Sequence, residues 1–551
     1  MQAAYWWSIS RARAETLSPM PTLPADSSEA SLPTACRRRW TWVLFALLLA
    51  FQLIFQAGHG AQQSDLGGDP DEAAHAVTSL MLRDFYAVGW KQSPMAFAKA
   101  YYTAFPKVAL GHYPPAYYLL TGLWLLMVPS IKGLFLLQSG LAAGLGALIY
   151  RYSSRVLPMS AACAAAVLSS ILPLTLKQTQ FVMSDLLVAI LCLLAAAAWV
   201  AYLQRPGYKH ALGFGLLAAA AILTKGSALA LCLVPPVATL LSGRWRLILT
   251  PSWWLAAVPV GVLAGPWMLY STRITAEGMI HQPWAEYVQE SFIFYARALP
   301  QSLGWPLLIL VVIGLARWSL LGLRHKGLPP GVAAALALLT GVACICLCIP
   351  AGYSTRYLMP ALAPLLMAAV TAAQVLSCLS PRFRWQLMVV IVAAAFAFTA
   401  PWPQKNVQGF SQAVMRSDLP EAGSTLTRWL VASDPRGEGA IIASAAFGLV
   451  QRSPSPLQIL RGSKELAKSD WMGRGYTTDF TDDAMLLKKL DELKVQRVFL
   501  DLSVPEALRT AHEKGLERAL SAQPTQWQLD FEQPITRLLG ETGVLRVYRR
   551  L

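Results

Sequence analysis

The feature of this sequence that most constrains its fold is a series of apolar runs, each long enough to cross the roughly 30 Å hydrocarbon core of a bilayer as a helix. Hydrophobic residues make up 55% of the chain and charged residues 14%, which excludes a mainly water-soluble protein. We therefore predict a mainly α, polytopic helical membrane protein with about eleven spans. The spans are expected near residues 40–57, 133–150, 157–176, 186–203, 208–224, 227–242, 252–270, 303–321, 331–350, 357–378 and 385–401.

The distribution of positive charge predicts how these spans are oriented. A net charge of +16 would suggest a nucleic-acid partner in a soluble protein, but here the surplus lies in short loops between apolar runs. With the N-terminus inside, every predicted cytoplasmic loop is basic, as the positive-inside rule requires. These loops carry Arg151 and Arg155, Arg205 and Lys209, Arg244 and Arg246, Arg317, Arg324 and Lys326, and Arg382 and Arg384. We expect membrane lipid, and no nucleic acid, as a partner.

One apolar run is too short to be counted as a span. The residues between Pro115 and Pro129 rise only about 21 Å as a helix, so we predict a helix that lies in the plane of the outer interface. Counting it as a span would place the first three basic loops outside, against the positive-inside rule. Residues 58–132 then form a long first outer loop.

The two ends of the chain differ in composition from the apolar runs. Residues 1–39 are expected to form a disordered cytoplasmic tail, with Met1 and Met20 both open as the true start. Residues 40–403 form a transmembrane domain, and residues 404–551 are predicted to form a soluble α/β domain on the outer side. Its expected elements are strand 439–446 (GAIIASAA), helix 482–493, strand 495–503, helix 505–520, and strands 525–531 and 543–551.

Two adjacent acids begin a predicted helix in the first outer loop. Asp71 and Glu72 follow Pro70 in its first turn, where acids also complement the helix dipole. A carboxylate just outside the bilayer is equally a suitable base for an acceptor hydroxyl. His75 lies on the same helix face as Asp71, and an exposed interfacial histidine is the simpler interpretation of it.

Three further charges are predicted at the same surface. Asp185 lies where one span ends and the next begins, and it is either a functional intramembrane acid or a helix N-terminal acid. Lys225 lies between two helices and either snorkels or holds an anionic headgroup. Arg356 precedes a helix that starts at the outer side, so it is either an interfacial anchor or a phosphate ligand.

Aromatic and polar residues near these charges are candidate substrate contacts. The turn before the in-plane helix could hold His112 and Tyr113 towards a phosphate or sugar, and Tyr117 follows in the same cluster. Membrane anchoring alone would also explain such tyrosines. Glu290 lies on a possible amphipathic surface helix, and Tyr353 is close to Arg356 in sequence, so both are weaker candidates.

Six short motifs together resemble the GT-C superfamily of integral-membrane glycosyltransferases. The resemblance is to bacterial relatives of dolichyl-phosphate-mannose protein mannosyltransferase and of the lipid A aminoarabinose transferase. The motifs appear in family order and cover most of the membrane part of the chain. They are PDEAAH at 70–75, PPAYYLL at 114–120, MSDLL at 183–187, LTKG at 223–226, GPW at 265–267 and TRYLMPALAP at 355–364.

The resemblance implies a polyprenyl-phosphate-linked sugar donor and inverting transfer to an acceptor hydroxyl. It assigns the catalytic base to Asp71 and the second outer acid to Asp185, while Lys225 and Arg356 match basic positions that face the donor phosphate. It also implies a bacterial cytoplasmic membrane location, with the N-terminus inside and the C-terminal domain periplasmic or extracellular. Residues 40–403 would then be the catalytic domain. The sequence has no Walker A, dinucleotide-binding or GxSxG motif, which agrees with a donor that carries its own leaving group.

Several points stay open at this level. Some relatives bind a divalent cation, Mg²⁺ or Mn²⁺, which Asp71 and Asp185 could hold, although single-sugar relatives need not use one. His112 and Tyr113 replace the Glu-Lys pair of the aminoarabinose branch, which argues against aminoarabinose as the sugar. The acceptor is a lipid, a glycan or a protein. A transporter or flippase of lipid-linked sugars is the main alternative function, and a structural membrane protein with a partner-binding domain is the second.

Overall fold

The computed structural model describes residues 34–109, 111–324, 327–376, 384–399, 402–421, 424–449, 456–470 and 473–551. The chain divides into two units, Met1–Trp40 and Thr41–Leu551. Residues 1–33 of the predicted tail lie outside the described residues. The predicted disordered tail, residues 1–39, extends too far, because the first helix begins at Thr34. It includes the three arginines before the apolar run, and arginine is a good helix former.

The described part of the chain from Thr34 to residue 399 is mostly helical. In chain order its helices are α1 (Thr34–Gly58), α2 (Pro70–Asp84), α3 (Pro94–Ala104), α4 (Ala116–Met127), α5 (Ile131–Ser153), α6 (Met159–Ile171), α7 (Pro173–Thr179), α8 (Asp185–Gln204), α9 (Tyr208–Ile222), α10 (Gly226–Leu241), α11 (Pro251–Glu277), α12 (Trp284–Leu303), α13 (Trp305–Arg324), α14 (Pro330–Cys348), α15 (Thr355–Gln374) and α16 (Trp385–Phe398).

The predicted polytopic membrane fold is confirmed. Seven helices of the described chain are long and apolar enough to cross a membrane, namely α1, α5, α8, α11, α13, α14 and α15. Helices α6 and α7 pass the same test together and are bent by 53° at the break before Pro173, where the missing amide proton interrupts the helix. The shorter apolar helices α9, α10 and α16 occupy the three remaining predicted spans, so helix length alone supports fewer crossings than eleven.

Residues 58–132, the predicted first outer loop, contain three α-helices rather than irregular chain. Helix α2 begins where Asp69 caps it, because the Asp69 side chain accepts from the amide of Asp71 and Pro70 occupies the first turn. Helix α4 begins after Pro115 and corresponds to the apolar run predicted to lie in the interface. Helix α2 packs along α4, so the loop forms a folded layer that can hold side chains rigidly.

The C-terminal region folds as the predicted α/β domain. Its strands are β1 (Thr427–Ala432), β2 (Leu457–Arg461), β3 (Ala467–Lys468), β4 (Thr477–Thr478), β5 (Arg497–Asp501), β6 (Trp527–Thr536) and β7 (Thr542–Arg550), and its helices are α17 (Phe410–Arg416), α18 (Pro435–Gly448), α19 (Gly462–Glu465), α20 (Asp483–Glu492) and α21 (Ala511–Ala522). The main sheet has the order β2-β1-β5-β7-β6. Strands β2, β1 and β5 are parallel, whereas β7 runs antiparallel to both β5 and β6.

One predicted strand of this domain is wrong. The segment 439–446 lies inside helix α18, whose start is fixed by Asp434 accepting from the amide of Gly437 and by Pro435 in the first turn. These capping residues and the alanine-rich sequence outweigh the short apolar run that suggested a strand. Strands β1, β2, β3 and β4 were not predicted. The helix predicted at 505–520 begins only at Ala511, and the strand predicted at 525–531 continues to Thr536. The other predicted helix and strands lie within two residues of their expected bounds.

Residues 58–132 and the C-terminal domain share one hydrophobic core. Buried residues of α2, such as Val77, belong to the same cluster as Trp429 of β1, Ile441 of α18 and Phe499 of β5. A Cβ atom added at Gly439 would lie only 2.8 Å from Cβ of Ala73, so α18 approaches α2 as closely as a glycine allows. The helix that begins with Asp71 is therefore supported directly by the C-terminal domain.

Candidate active site

Asp71 lies at the start of α2 and forms an ion pair with Arg356 at the start of α15. The distance from Arg356 Nη2 to Asp71 Oδ2 is 2.8 Å, and Nη1 is 4.0 Å from Oδ1 of Asp69. The hydroxyl of Tyr113 also donates to the Asp71 carboxylate. Burial alone would raise the pKa of Asp71, but the guanidinium of Arg356 and the other partners lower it to about 2. Asp71 is therefore ionised at neutral pH.

A second ion pair joins Asp185, the first residue of α8, to Lys225 in the turn between α9 and α10. The Nζ atom of Lys225 is 2.6 Å from Oδ1 of Asp185, and both side chains are buried. The other carboxylate oxygen of Asp185, also buried, has no hydrogen-bond partner among the described residues. A buried pair with one unsatisfied oxygen is costly for a purely structural contact.

The ring of Tyr357 brings the two ion pairs together. Its centroid is 5.2 Å from Lys225 Nζ and 5.9 Å from Arg356 Cζ, and Arg356 also reaches Met183, two residues before Asp185. The structure thus brings together the four charges that were predicted to converge. Tyr357 was not predicted as a site residue, although its position directly after Arg356 was visible in the sequence.

His75 is buried beneath Asp71, and the simpler prediction of an exposed interfacial histidine is wrong. Its Nδ1 atom is 2.9 Å from the hydroxyl of Tyr118, and its ring centroid is 4.6 Å from that of Tyr113. Burial lowers the pKa of His75 to about 4, so the ring is neutral at pH 7. Tyr117 is also fully buried, and its hydroxyl accepts from Gln138. These residues support the site and do not line an open surface.

Glu72 lies in a different environment from Asp71. It is fully buried, 2.5 Å from Nζ of Lys405, and it accepts from the amides of Gly68 and Val182. Burial raises the pKa of Glu72 and lowers that of Lys405, against their mutual attraction. With no exposed atom, Glu72 cannot touch a substrate in this arrangement, which does not support its predicted catalytic role. The sequence analysis did not predict Lys405 as a site residue, because nothing near it in the sequence indicates its partner Glu72.

The weaker candidates lie at the margin of the site. His112 is half-buried, and burial lowers its pKa although Glu277 and Asp71 act in the opposite direction. The Tyr353 hydroxyl donates to Glu290 at 2.8 Å, and its ring stacks on Tyr287 at 5.3 Å. Glu290 and Tyr353 are therefore brought together with each other, but no contact joins them to Asp71 among the described residues.

A cleft opens beside Arg356 and extends towards the C-terminal domain. Arg356 forms part of its wall and is the one member of the two ion pairs that does so. The other lining residues include Asp69, Lys177, Phe181, Met183 and Arg436.

The two acids predicted as candidate ligands of a divalent cation are both paired with basic side chains in this structure. Asp71 and Asp185, the predicted candidates, each face a basic side chain within 2.8 Å. Within the described part of the chain, no group of three or more His, Cys, Asp or Glu side chains is arranged to hold a metal ion. In this structure Arg356 and Lys225 neutralise these two carboxylates.

No protein-family model and no curated protein matches this sequence, but solved structures do. The crystal structure of ArnT from Cupriavidus metallidurans in the apo state is 14% identical, with a TM-score of 0.55, and the match covers 92% of this chain and 97% of that one. The Archaeoglobus fulgidus oligosaccharyltransferase tethered with an acceptor peptide is 12% identical, with a TM-score of 0.51, over 92% of this chain and 74% of that one.

A further structure of the archaeal oligosaccharyltransferase, named AglB, is in complex with an inhibitory peptide and a dolichol-phosphate. It matches at 12% identity and a TM-score of 0.50, over 84% of this chain and 69% of that one. ArnT, the lipid A aminoarabinose transferase, and AglB are both GT-C superfamily enzymes. This chain therefore has the GT-C fold of multi-pass membrane proteins, as the resemblance predicted. At these identities the likeness is one of fold.

Proposed function

We propose that this protein is a glycosyltransferase that moves a sugar from a polyprenyl-phosphate donor to an acceptor hydroxyl. The reaction is a direct displacement that inverts the anomeric carbon, with Asp71 as base. It takes place at the outer face of the bacterial cytoplasmic membrane, with the N-terminus inside and the C-terminal domain outside. The likeness in fold to lipid-phosphate-dependent glycosyltransferases supports the general kind of reaction.

The observation that carries the proposal is the convergence of the Asp71–Arg356 and Asp185–Lys225 ion pairs around Tyr357. Two acids and two bases from four separate helix ends meet at one place. Simple membrane anchoring would not require them to meet. Transfer from a lipid phosphate requires both kinds of charge. An ionised carboxylate must accept the hydroxyl proton, and cations must stabilise the departing phosphate.

Asp71, Lys225 and Arg356 can supply the proton acceptor and the positive charges that this displacement needs. The acceptor oxygen forms a bond to the anomeric carbon while the bond from that carbon to the phosphate oxygen breaks. The acceptor proton passes to Asp71, and the electron pair of the broken bond leaves with the polyprenyl phosphate. Lys225 and Arg356 stabilise the charge that develops on this leaving group.

Arg356 also couples donor binding to the basicity of Asp71. In the structure the carboxylate is a weak base because the guanidinium lowers its pKa to about 2. A donor phosphate that shares Arg356 would weaken this pairing, and burial would then raise the Asp71 pKa towards the value that a general base needs. Asp71 would become an effective base only when the donor is present.

The structures that this chain resembles indicate the classes of donor and acceptor, but not the particular sugar or acceptor. A dolichol-phosphate is present in one structure of the archaeal oligosaccharyltransferase, and an acceptor peptide is tethered in another. These findings support a lipid-linked donor for this chain. We propose a polyprenyl phosphate that carries a hexose or a pentose, with a lipid, a glycan or a protein side chain as acceptor and with no divalent cation required.

The test compares the purified wild type with Asp71→Asn. Radiolabelled sugar on synthetic polyprenyl phosphates is supplied together with a bacterial membrane extract, and transfer is counted. We expect transfer by the wild type and a loss of about 10²- to 10⁴-fold in Asp71→Asn. Donor binding and the melting temperature of the variant are measured in the same preparation.

The matched control is Asp418→Asn, the same change at a side chain that is 93% exposed. It should transfer at the wild-type rate, because it lies in the surface of the C-terminal domain. Equal rates in wild type and Asp71→Asn would assign the base to another residue. Donor movement across reconstituted vesicles without any transfer would favour the flippase function instead.

A further inference from the structure

The cleft beside Arg356 has walls from five parts of the chain: Leu538, between β6 and β7, forms one, and charged residues lie in the other four. Asp69 comes from the start of α2, Lys177 from the last turn of α7, Arg356 from the start of α15, and Arg436 from the first turn of α18. The cleft therefore lies between the membrane helices and the C-terminal domain. Neither Asp185 nor Lys225 lines it.

The charges of this cleft are not balanced within the protein. It has three cations and one acid, and Arg356 is already paired with Asp71. Lys177 and Arg436 are exposed and have no ion pair among the described residues. Arg436 lies in the first turn of a helix, where the helix dipole disfavours a positive charge. Local structure thus gives no reason for a cation at this position.

We infer that Lys177 and Arg436 bind an anionic group, a phosphate or a carboxylate, that belongs to the acceptor. This inference rests on the proposed function. Of the two cations that we assign to the donor phosphate, Arg356 lies at the cleft wall and Lys225 does not line the cleft, so we assign a second anion, held by Lys177 and Arg436, to the acceptor. Asp71, which is bonded to Arg356, stands at the boundary where the acceptor hydroxyl must be placed.

Charge explains why such a site would be selective. Two cations from separate elements hold an anion more strongly than one, and arginine can bind a phosphate or carboxylate with two parallel hydrogen bonds. An acceptor without an anionic group would leave Lys177 and Arg436 to repel each other across the cleft. These two residues would then determine acceptor specificity without taking part in the chemical step.

The variants are Lys177→Gln, Arg436→Gln and the double change, with Lys488→Gln as matched control. Both cleft side chains are exposed, so the substitutions remove charge without opening a cavity in the core. The side chain of Lys488 is 77% exposed and lies on α20 of the C-terminal domain, outside the cleft lining. Melting temperatures should stay within a few degrees of the wild type in all four proteins.

The first measurement separates acceptor from donor. A bacterial lipid extract is divided by anion exchange into neutral and anionic fractions, and each fraction is titrated as acceptor. Each single substitution should raise the half-saturating amount of the anionic fraction about tenfold, with the saturating rate within twofold of the wild type. The dissociation constant for undecaprenyl phosphate should not change. A weaker undecaprenyl-phosphate affinity would overturn the inference in favour of the donor phosphate, and transfer into the neutral fraction alone would overturn it as well.

The second measurement does not depend on turnover. Inorganic pyrophosphate is titrated into the wild-type protein and the four variants by calorimetry. We expect the double variant to bind at least tenfold more weakly, whereas Lys488→Gln should bind like the wild type. If the wild type transfers no sugar, the proposed function fails, and this titration still decides whether the cleft binds an anion. Equal binding in all five proteins would overturn the inference.

Discussion

Glu72 and Lys405 form an ion pair across 333 positions of the chain, with 2.5 Å between Oε1 and Nζ and both side chains fully buried. Glu72 belongs to the helix that begins with the proposed base, and Lys405 follows the last membrane helix. Glu72 also accepts from Gly68 and Val182, so it joins three separate segments. The pair therefore fixes the start of α2 to the entrance of the C-terminal domain.

Breaking this pair should destabilise the protein strongly. In Lys405→Met, Glu72 is left buried without its partner, which costs about 3–5 kcal/mol, and thermal unfolding of the solubilised protein should start several degrees lower. The double variant Glu72→Leu with Lys405→Met should be more stable than Lys405→Met alone, because no buried charge remains. Recovery of sugar transfer in the double variant would show that Glu72 is structural. A stable but inactive double variant would restore its predicted catalytic role.

The close approach of α18 to α2 should make Gly439 sensitive to size. A Cβ atom there meets Ala73 at 2.8 Å and Lys107 at 2.9 Å, so Gly439→Ala should cost about 1–3 kcal/mol through overpacking and lower the transfer rate by displacing α2. Adding Ala73→Gly should restore part of both. The control is Gly213→Ala in α9, where a Cβ atom meets nothing within 4 Å. Equal losses in Gly439→Ala and the control would contradict the proposed contact.

Buried His75 should make the stability of the protein depend on pH. Its pKa falls from 6.5 to about 4 on folding, so below pH 6.5 the unfolded chain binds a proton that the folded chain does not. Stability should therefore decrease as the pH falls from 6.5 towards 4, by up to roughly 3 kcal/mol. Melting curves of wild type and His75→Asn across this range provide the check. The variant should lose this dependence, and parallel curves would refute a buried neutral histidine.

The sequence allowed the membrane part and the main charges of the site to be predicted. Apolar length identifies spans because the bilayer sets a minimum length. The positive-inside rule then assigns the basic loops to one side of the membrane and the candidate site residues to the other. Asp71, Asp185, Lys225 and Arg356 could be grouped in this way without any knowledge of contacts. The same rule excluded the short run before Pro129 from the span count.

The parts that could not be predicted depend on distant contacts or on competing local signals. Nothing near Lys405 in the sequence indicates a carboxylate 333 positions away. The pairing of Glu72 with this lysine makes it different from its neighbour Asp71, although both look alike at a helix start. In α18, the caps Asp434 and Pro435 outweighed an apolar run that resembles a strand. His75 was expected to be exposed because its burial is created by tyrosines from another helix.

The pairing of Asp71 with Arg356 gives a final prediction about the pH profile of transfer. Burial raises the pKa of Asp71, but Arg356, His75 and Tyr113 together outweigh it and lower the pKa from 3.8 to about 2, so in the wild type the carboxylate stays ionised well below pH 4. Removing the charge in Arg356→Gln takes away the strongest of these partners, so burial is less compensated and the pKa rises. The acid limb of residual transfer should therefore move to higher pH by at least one to two units, roughly the size of a lost ion pair.

Rates measured at limiting donor between pH 3 and 8, which report the ionisations of the donor-free protein, test this shift, and Asp418→Asn serves as the control with an unchanged profile. The rate of Arg356→Gln is expected to be low at every pH, because the cation also stabilises the leaving phosphate, so the position of the limb is the informative quantity. An acid limb at the same pH in wild type and Arg356→Gln would mean that Arg356 does not control the protonation of the base. Asp71 would then have to be protonated in a step that this ion pair does not influence.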